Sequence, residues 1–444
     1  MTASASTIGH GAEHVHDVIG IGFGPSNLAL AIALEEHNAD AESAPLSAVF
    51  LEKQDRFGWH RGMLLDGTTM QIAFPKDLVT FRNPRSPYTF LSYLHAQGRL
   101  VDFVNHQTFF PTRHEFHDYL EWAADNVSAD VRYSTTVTSI EPDPDTDGIA
   151  RRFIVTTSTG ATFRAHNVVV AVGLREKHPE WATASSRCFH NHRFLEHVAA
   201  MPEPTNQRFA VIGAGQSAAE IVDYLHANFP GAEVHNVFSR FGYSPADDSP
   251  YANRIFDPSA VDEFHGAPAE ARQRLLEIHR STNYAVVDLE LINKLYAAEY
   301  QERVRGPRRL FMRRGSHVTG IEEHASGIDV QVRSELTGEE ERLACDAVVL
   351  ATGFAPAPLA PILGDIVPAD PRDRQISRDY RAVTAPTIQG GIYFQGGVEH
   401  SHGLTSSLLS NVAVRSGDIL RSIVRNRAVT VPGWMQQAPE RASA

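Results

Sequence analysis

Cysteine is almost missing from this chain: Cys188 and Cys345 are the only 2 among 444 residues. They stand far apart and form no Cys-x-x-Cys pair, which argues against a disulfide reductase and against a thiolate zinc site. Both read as buried, reduced thiols of a cytoplasmic protein. An excess of positive charge is missing too. Lys+Arg number 40 against 53 Asp+Glu, for a formal net charge of −13. Neither a nucleic-acid partner nor an anionic membrane surface is expected, because both select for lysine and arginine. No apolar run approaches the roughly 18 residues that a membrane span needs. Residues 1–14 are small and polar, with no basic start, and read as a disordered tail rather than a secretory signal. What is present, 42% hydrophobic and 21% charged residues, describes a globular protein. Its length suits two or three units rather than one core.

Two glycine-rich turns dominate the pattern. Gly22-Phe23-Gly24-Pro25-Ser26-Asn27 follows the apolar run 17–21, and Gly213-Ala214-Gly215-Gln216-Ser217-Ala218 follows 208–212. Each is expected to sit between a strand and a helix. There the first glycine allows the bend, the second lets a diphosphate approach, and the helix N-terminus offers free N–H groups. Two cradles imply two dinucleotides, and the natural pair is a flavin and a nicotinamide. A second strand over 48–52 ends on Glu52, which suits the hydroxyls of an adenosine ribose. In the second unit the matching strand, 232–240, ends on Ser239-Arg240. A carboxylate there would repel a 2′-phosphate, whereas arginine can bind one, so this unit reads as built for NADPH. Asn27 at the third position of the first turn departs from the plain glycine fingerprint.

The fold class expected is α/β, with two Rossmann-like dinucleotide-binding domains, for FAD and NADPH, and a small helical substrate-binding region. An FAD domain is expected over 15–200 and 345–430, interrupted by an NADPH domain over 205–344 that carries the helical insertion. Residues 431–444 form a second tail. Alternating segments at 131–140, 151–157 and 161–172 read as a small meander. Helical spacing marks 113–124, 217–228, 269–279 and 288–303, and a last helix is expected over 407–425. The long polar loop 241–257 has the length of a functional loop.

These stretches carry a resemblance. The glycine turn extended to Leu28 contributes to it, as do Phe57-Gly58-Trp59-His60 and Met70-Gln71-Ile72-Ala73-Phe74-Pro75-Lys76-Asp77-Leu78. So do Thr282-Asn283-Tyr284-Ala285-Val286-Val287-Asp288, His402-Gly403-Leu404-Thr405-Ser406-Ser407-Leu408-Leu409, and Asp346 through Ala351-Thr352-Gly353-Phe354. Together they resemble the flavin-dependent N-hydroxylating monooxygenases, specifically the L-ornithine N(5)-monooxygenases of siderophore biosynthesis. Two local departures are Ala355-Pro356 in place of the usual histidine after the last motif, and Phe74 where a leucine more often stands.

The resemblance implies a role for each matching residue. Gly22, Gly24, Pro25, Ser26, Asn27, Glu52, Lys53, Trp59 and His60 would line FAD, with Gln71 at the isoalloxazine edge and Val137 on the adenine side. Leu404, Thr405 and Ser406 would close over the flavin, and Ser407 would lie beside the substrate. Ala214, Gly215, Gln216, Ser217, Arg240, Tyr284 and Ala285 would hold NADPH. Lys76 would pair with the substrate carboxylate. Asn253 would face its amine, with Arg254, Ile255 and Phe256 beside it, and Asn283 would touch both substrate and nicotinamide ribose. Lys76, Asn253 and Asn283 are the catalytic assignments. The implied reaction uses NADPH, FAD and O2, through a flavin C4a-hydroperoxide, to hydroxylate the side-chain amine of L-ornithine. The implied assembly is a homotetramer in the cytoplasm.

Physical chemistry fits those assignments independently. An amino acid brings a carboxylate and ammonium groups, so its site needs one fixed cation and neutral acceptors such as asparagine. Taken singly, Lys76 and Arg240 also read as surface cations and the asparagines as turn residues. No metal is expected, because His190/His192 and His400/His402 are pairs without a third ligand at motif spacing. Three alternatives stay open: an L-lysine N(6)-hydroxylase, a flavin monooxygenase acting on carbonyls or soft heteroatoms, and a non-catalytic flavoprotein. A single methylene separates the first from the ornithine reading and is worth only about 1–3 kcal/mol.

Overall fold

Two largely parallel sheets, each containing one glycine turn, organise the computed structural model, which describes residues 14–201, 207–283 and 285–430. The first sheet runs, in order, Asp130–Arg132, Ala48–Leu51, Val15–Ile21, Thr162–Val170, Ala150–Thr157 and Val137–Pro144. Val15–Ile21 pairs in parallel with both of its neighbours. The Thr162–Val170 strand joins two systems. Its start is antiparallel to Ala150–Thr157, as the expected meander requires, and its end is parallel to Val15–Ile21 and Gly391–Phe394. Parallel strands are covered on both faces, which is why Val18 to Ile21 and Val168 to Val170 form unbroken buried runs. The helix Pro25–Ala39 buries Leu28 through Leu34 without a polar stripe, packed between the sheet and the C-terminal helix Val412–Thr430.

The second sheet runs Leu310–Arg314, Glu233–Phe238, Arg208–Ile212, Ala347–Leu350 and Cys188–His190, every pair parallel. This corrects part of the expected division. Residues 188–190 and 347–350 fall inside segments expected to belong to the flavin unit, yet they pair in the nicotinamide-type sheet. Short apolar strands carry no mark of which parallel sheet they will enter, so only tertiary pairing places them. The chain crosses between units on either side of these strands. The crossings pair with each other, Leu174–Glu176 antiparallel to Phe354–Pro356. Ala355-Pro356, the motif departure, therefore sits in a ladder opposite Arg175 and Leu174.

A three-stranded antiparallel sheet, Ser316–His324, Gly327–Ser334 and Glu340–Cys345, covers one side of the second sheet. Cys188 and Cys345 are buried in that core as free thiols, and burial pushes them up to about 11 and about 12. The helical insertion comprises Ala260–Gly266, Ala269–Asn283 and Leu289–Arg305. The last helix begins at Val412, not at 407. Before it come two tight turns, Leu404–Ser407 and Leu409–Asn411. The carbonyls of Thr405 and Ser406 are taken by a guanidinium, at 3.3 and 2.7 Å, and do not start a regular helix. No helix among the described residues is long and apolar enough to cross a membrane.

Candidate active site

The first turn is built from backbone requirements. Gly22 has φ +85°, and a Cβ there would lie 2.6 Å from the Ala171 carbonyl. Gly24 caps the helix without any side-chain bond to its free N–H groups, and a Cβ there would meet nothing within 4 Å. That open mouth at the positive end of a helix fits a dinucleotide diphosphate. Asn27, the departure at the third glycine position, is fully buried and donates to the Gly22 carbonyl at 2.7 Å, so it ties the turn rather than crowding it. Glu52 accepts from the Phe23 N–H at 2.6 Å and the Gln54 N–H at 2.8 Å, which pins its carboxylate beside the turn. Pro25, Ser26 and Val137 lie in this same unit, Val137 at the start of its strand.

His60 has φ 50° and packs edge-on against Trp59, His192 and Phe354. Burial, then the neighbouring His192 and Arg113, lower it to about 4, so the ring is neutral near pH 7. Lys53 and Gln71 are exposed and make no side-chain hydrogen bond among the described residues. Leu404, Thr405 and Ser406 are buried, and Ser407 accepts from the Gly397 N–H at 3.3 Å.

Lys76 owes its character to its neighbour. The buried Asp77 accepts from the N–H groups of Val79, Thr80 and Phe90 and from the Thr80 hydroxyl, at 2.6–2.9 Å. Its carboxylate is saturated. Lys76 is left half-buried, with no carboxylate partner among the described residues. The loop is held in place by Phe74, which stacks on Phe109 and packs against Phe90 and Phe103.

In the second turn, Gly213 has φ +141° and a Cβ on it would lie 2.3 Å from the Ala351 carbonyl. Gly215 caps its helix with no side-chain bond, as Gly24 does, and faces Ala285, whose φ is 63°. Arg240 donates to the Ala285 carbonyl at 2.7 Å and to Ser244 Oγ at 3.2 Å, and has no carboxylate partner among the described residues. Gly215, Ala285 and Arg240 thus converge, with Ala214 and Ser217 half-buried in the same turn. Gln216 is used differently from the expectation. Its amide bonds Glu220 Oε1 and accepts from the Asp288 N–H, both at 2.8 Å, so only its backbone is left for a ligand. Glu220 in turn takes two 2.7 Å bonds from Arg113 of the first unit.

The tight turn Ala252–Phe256 carries Asn253, Arg254, Ile255 and Phe256. It packs on Leu404–Ser407. Asn253 donates to the Ser249 carbonyl at 3.3 Å, which leaves its Oδ1 open. A cavity of about 30 Å³ between turn, insertion and closing segment is lined by Ile255, Phe264, Leu275, His402, Leu404 and Thr405. Burial lowers His402 to about 3, so no charge faces this cavity from the ring. Asn283 ends a helix and its side chain lies outside the described residues, as does Tyr284 entirely. The paired histidines bind carbonyls: His190 that of Gly353, His400 that of Arg374, His402 that of Arg378. Among the described residues, one three-residue group, His117, Asp118 and Glu121, gathers ligand-type atoms. His117 there also accepts from the Trp59 N–H at 3.5 Å.

Residues 14–356 match the family model of L-lysine 6-monooxygenase/L-ornithine 5-monooxygenase. The chain belongs to that family. The L-ornithine N(5)-monooxygenase of Burkholderia cepacia is 40% identical over 440 residues, covering 95% of this chain and 98% of the relative. Among solved structures, the Kutzneria sp. 744 ornithine N-hydroxylase, with reduced FAD, NADP+ and L-ornithine, superposes with TM-score 0.88 at 44% identity. That match covers 93% of this chain and 100% of the other. The L-lysine 6-monooxygenase of Pseudomonas syringae follows at TM-score 0.81 and 35% identity, covering 93% and 99%. Family membership makes the two cradles a flavin and nicotinamide pair in kind, and leaves the substrate to the pocket.

Three residues with no motif mark are joined to the two turns only by the fold: Arg113 to Glu220 behind the second, and Gln395 and Arg415 to Ser26 in the first. Arg415 alone had a visible signal, a charge directly after the apolar run Val412-Ala413-Val414.

Proposed function

We propose that this chain hydroxylates the side-chain amine of L-ornithine to N(5)-hydroxyornithine, using O2 and NADPH with FAD as resident cofactor. The observation that carries the reading is Lys76: a half-buried ammonium whose neighbouring carboxylate is already saturated, in a chain 44% identical to an ornithine N-hydroxylase. FAD, when bound, supplies the oxygen-activating chemistry after reduction by NADPH. Everything else falls to the side chains. Lys76 binds the substrate carboxylate and fixes the distance at which the far amine is presented. Asn253 Oδ1 accepts from that amine, while Ile255, Phe256 and Leu404 keep water away from it. An alkyl ammonium has a pKa near 10.4, and a desolvated pocket with a neutral His402 favours the neutral, nucleophilic form. Arg240 holds the 2′-phosphate of NADPH, and Ala214, Gly215, Ser217 and Ala285 frame its diphosphate and ribose.

The test pairs NADPH oxidation with hydroxylamine formation in the presence of ornithine, lysine or neither. Hydroxylamine from ornithine is expected. Turnover equal in all three, releasing only peroxide, would refute the reading, and preference for lysine would transfer it to the longer substrate. Lys76→Ala should raise the ornithine KM by about 30-fold or more, from roughly 2–5 kcal/mol of lost pairing, with FAD content unchanged. The same reading makes the protein a cytoplasmic homotetramer in siderophore-type biosynthesis. The exposed stripe Leu289, Tyr296, Tyr300 and Val304 along one helix is a surface suited to self-association, and light scattering of the purified protein checks it.

A further inference from the structure

Arg415 is 1% exposed and one of the largest fully buried side chains in the molecule. The partly buried Arg113 and Arg82 have acids, Glu220 and Glu36, whereas Arg374, 5% exposed, is met by the Pro368 and Ala369 carbonyls at 2.8 Å. Arg415 has no carboxylate within salt-bridge distance among the described residues. Its guanidinium donates instead to Gln395 Oε1 at 3.3 Å, the carbonyls of Thr405 and Ser406, and Ser26 Oγ at 3.2 Å. All of these are neutral. A net charge withdrawn from water and met only by neutral dipoles is costly, and such sites persist where an opposite charge completes them.

The surroundings point to where that charge arrives. Ser26 stands in the first turn of the helix whose capping Gly24 has free N–H groups and open space before it. Buried around the same spot, Ser406 Oγ, Ser410 Oγ and Asn411 Oδ1 have no hydrogen-bond partner. Gln395 donates to the Ser26 carbonyl at 2.9 Å and to Asn27 Oδ1 at 3.2 Å, and so links the guanidinium to the helix end of the turn.

We propose that Arg415 is the buried counter-charge of the FAD diphosphate. It acts as a positioning residue, through Ser26 on the cradle and through the Thr405 and Ser406 carbonyls on the segment that closes over the flavin. The inference rests on the reading of the first turn as the FAD site. It implies that the flavin-free protein carries an uncompensated buried cation, which cofactor binding relieves.

The experiment titrates FAD into deflavinated full-length protein by flavin fluorescence and compares melting temperatures with and without FAD. Arg415→Met should raise the FAD Kd about 10- to 100-fold, the range of one charge-assisted contact. It should also shrink the FAD-induced rise in Tm while leaving the flavin-free Tm equal or higher. Arg415→Lys, which keeps the charge, should recover most of the affinity. Wild-type Kd in Arg415→Met, or an equal fall in Tm with and without FAD, would overturn the inference and make Arg415 a strut. If Arg415→Met fails to fold, Ser26→Ala, which cuts the contact to the cradle, should still raise Kd several-fold, and an unchanged Kd there overturns the inference as well. Wild-type protein that takes up no FAD would bring down the proposed function itself, an outcome distinct from a variant that binds as wild type does.

Discussion

The two glycine turns share one backbone solution and differ in charge. In both, a positive-φ glycine abuts a carbonyl at the end of a neighbouring parallel strand, Ala171 for Gly22 and Ala351 for Gly213, and a second glycine leaves a helix end uncapped. The difference lies at the tip of the second strand. Glu52 is buried and pinned by two N–H groups, whereas Arg240 reaches across to the Ala285 carbonyl beside its turn. Backbone geometry is common to both turns, and the charge at the strand tip is what distinguishes them. The turns differ as well in what lies behind them. A lone buried cation backs the first, and the second leans on Glu220, which is neutralised by Arg113 from the first unit.

The sharpest way to break the comparison is to fill each turn. Gly22→Ala should yield protein purified without flavin, and Gly213→Ala should keep its flavin while its NADPH KM rises at least about tenfold, because each added Cβ meets a backbone carbonyl at unfavourable φ. Flavin content and KM decide, and loss of flavin in both would show that the turns do not act separately. Next in size is the bridge between units. Glu220→Gln leaves Arg113 buried without its acid and should cost about 3–5 kcal/mol in denaturant unfolding. Arg113→Met together with Glu220→Gln should recover much of that, and simple addition of the two single losses would contradict it.

Acid should act on both units at once. His60 and His402 in the first and His235 in the second are lowered to about 4, about 3 and about 4, burial being the first cause of each. Below pH 6.5 the unfolded chain takes up protons that the folded rings refuse, so stability is full above about 6.5 and falls as pH drops through about 4. His235→Phe, which keeps a ring stacked on Phe311, should flatten that fall in Tm, and an unchanged profile would exclude His235 as a source. Smallest is the tip residue. Arg240→Asp should lower the NADPH over NADH preference about 10- to 100-fold, roughly 1.5–3 kcal/mol. An unchanged ratio would reduce Arg240 to a brace for Ala285.

Much of this was legible in the chain. Both turns, their strands and helices, the Glu52 and Arg240 contrast, and the absence of a cysteine motif all rest on local chemistry, which a sequence displays directly. Gln216 was legible as a turn residue with Glu220 one helical turn on, but its tie to Asp288 was not, because Asp288 is brought in by a distant helix. The antiparallel sheet from Ser316 to Cys345 has its clearest trace in the alternation of Ile328, Val330 and Val332 with polar residues, while the face it covers depends on tertiary packing. Asp329 is buried there beside Arg342 and His324.

The amino-acid order by itself determined the class of the molecule: two dinucleotide-type units, one with a carboxylate at its strand tip and one with a guanidinium, with the family's motif stretches between and after the two turns. Tertiary structure alone decided which sheet receives 188–190 and 347–350. It also brought the Phe90 N–H to Asp77, whose other bonds come from Val79 and Thr80 next to it in the chain, and set Arg415 behind the first turn without an acid. The physical reason is the range of the forces involved. Turns and helix ends are settled by neighbours in the chain, whereas the worth of a charge depends on what is folded around it.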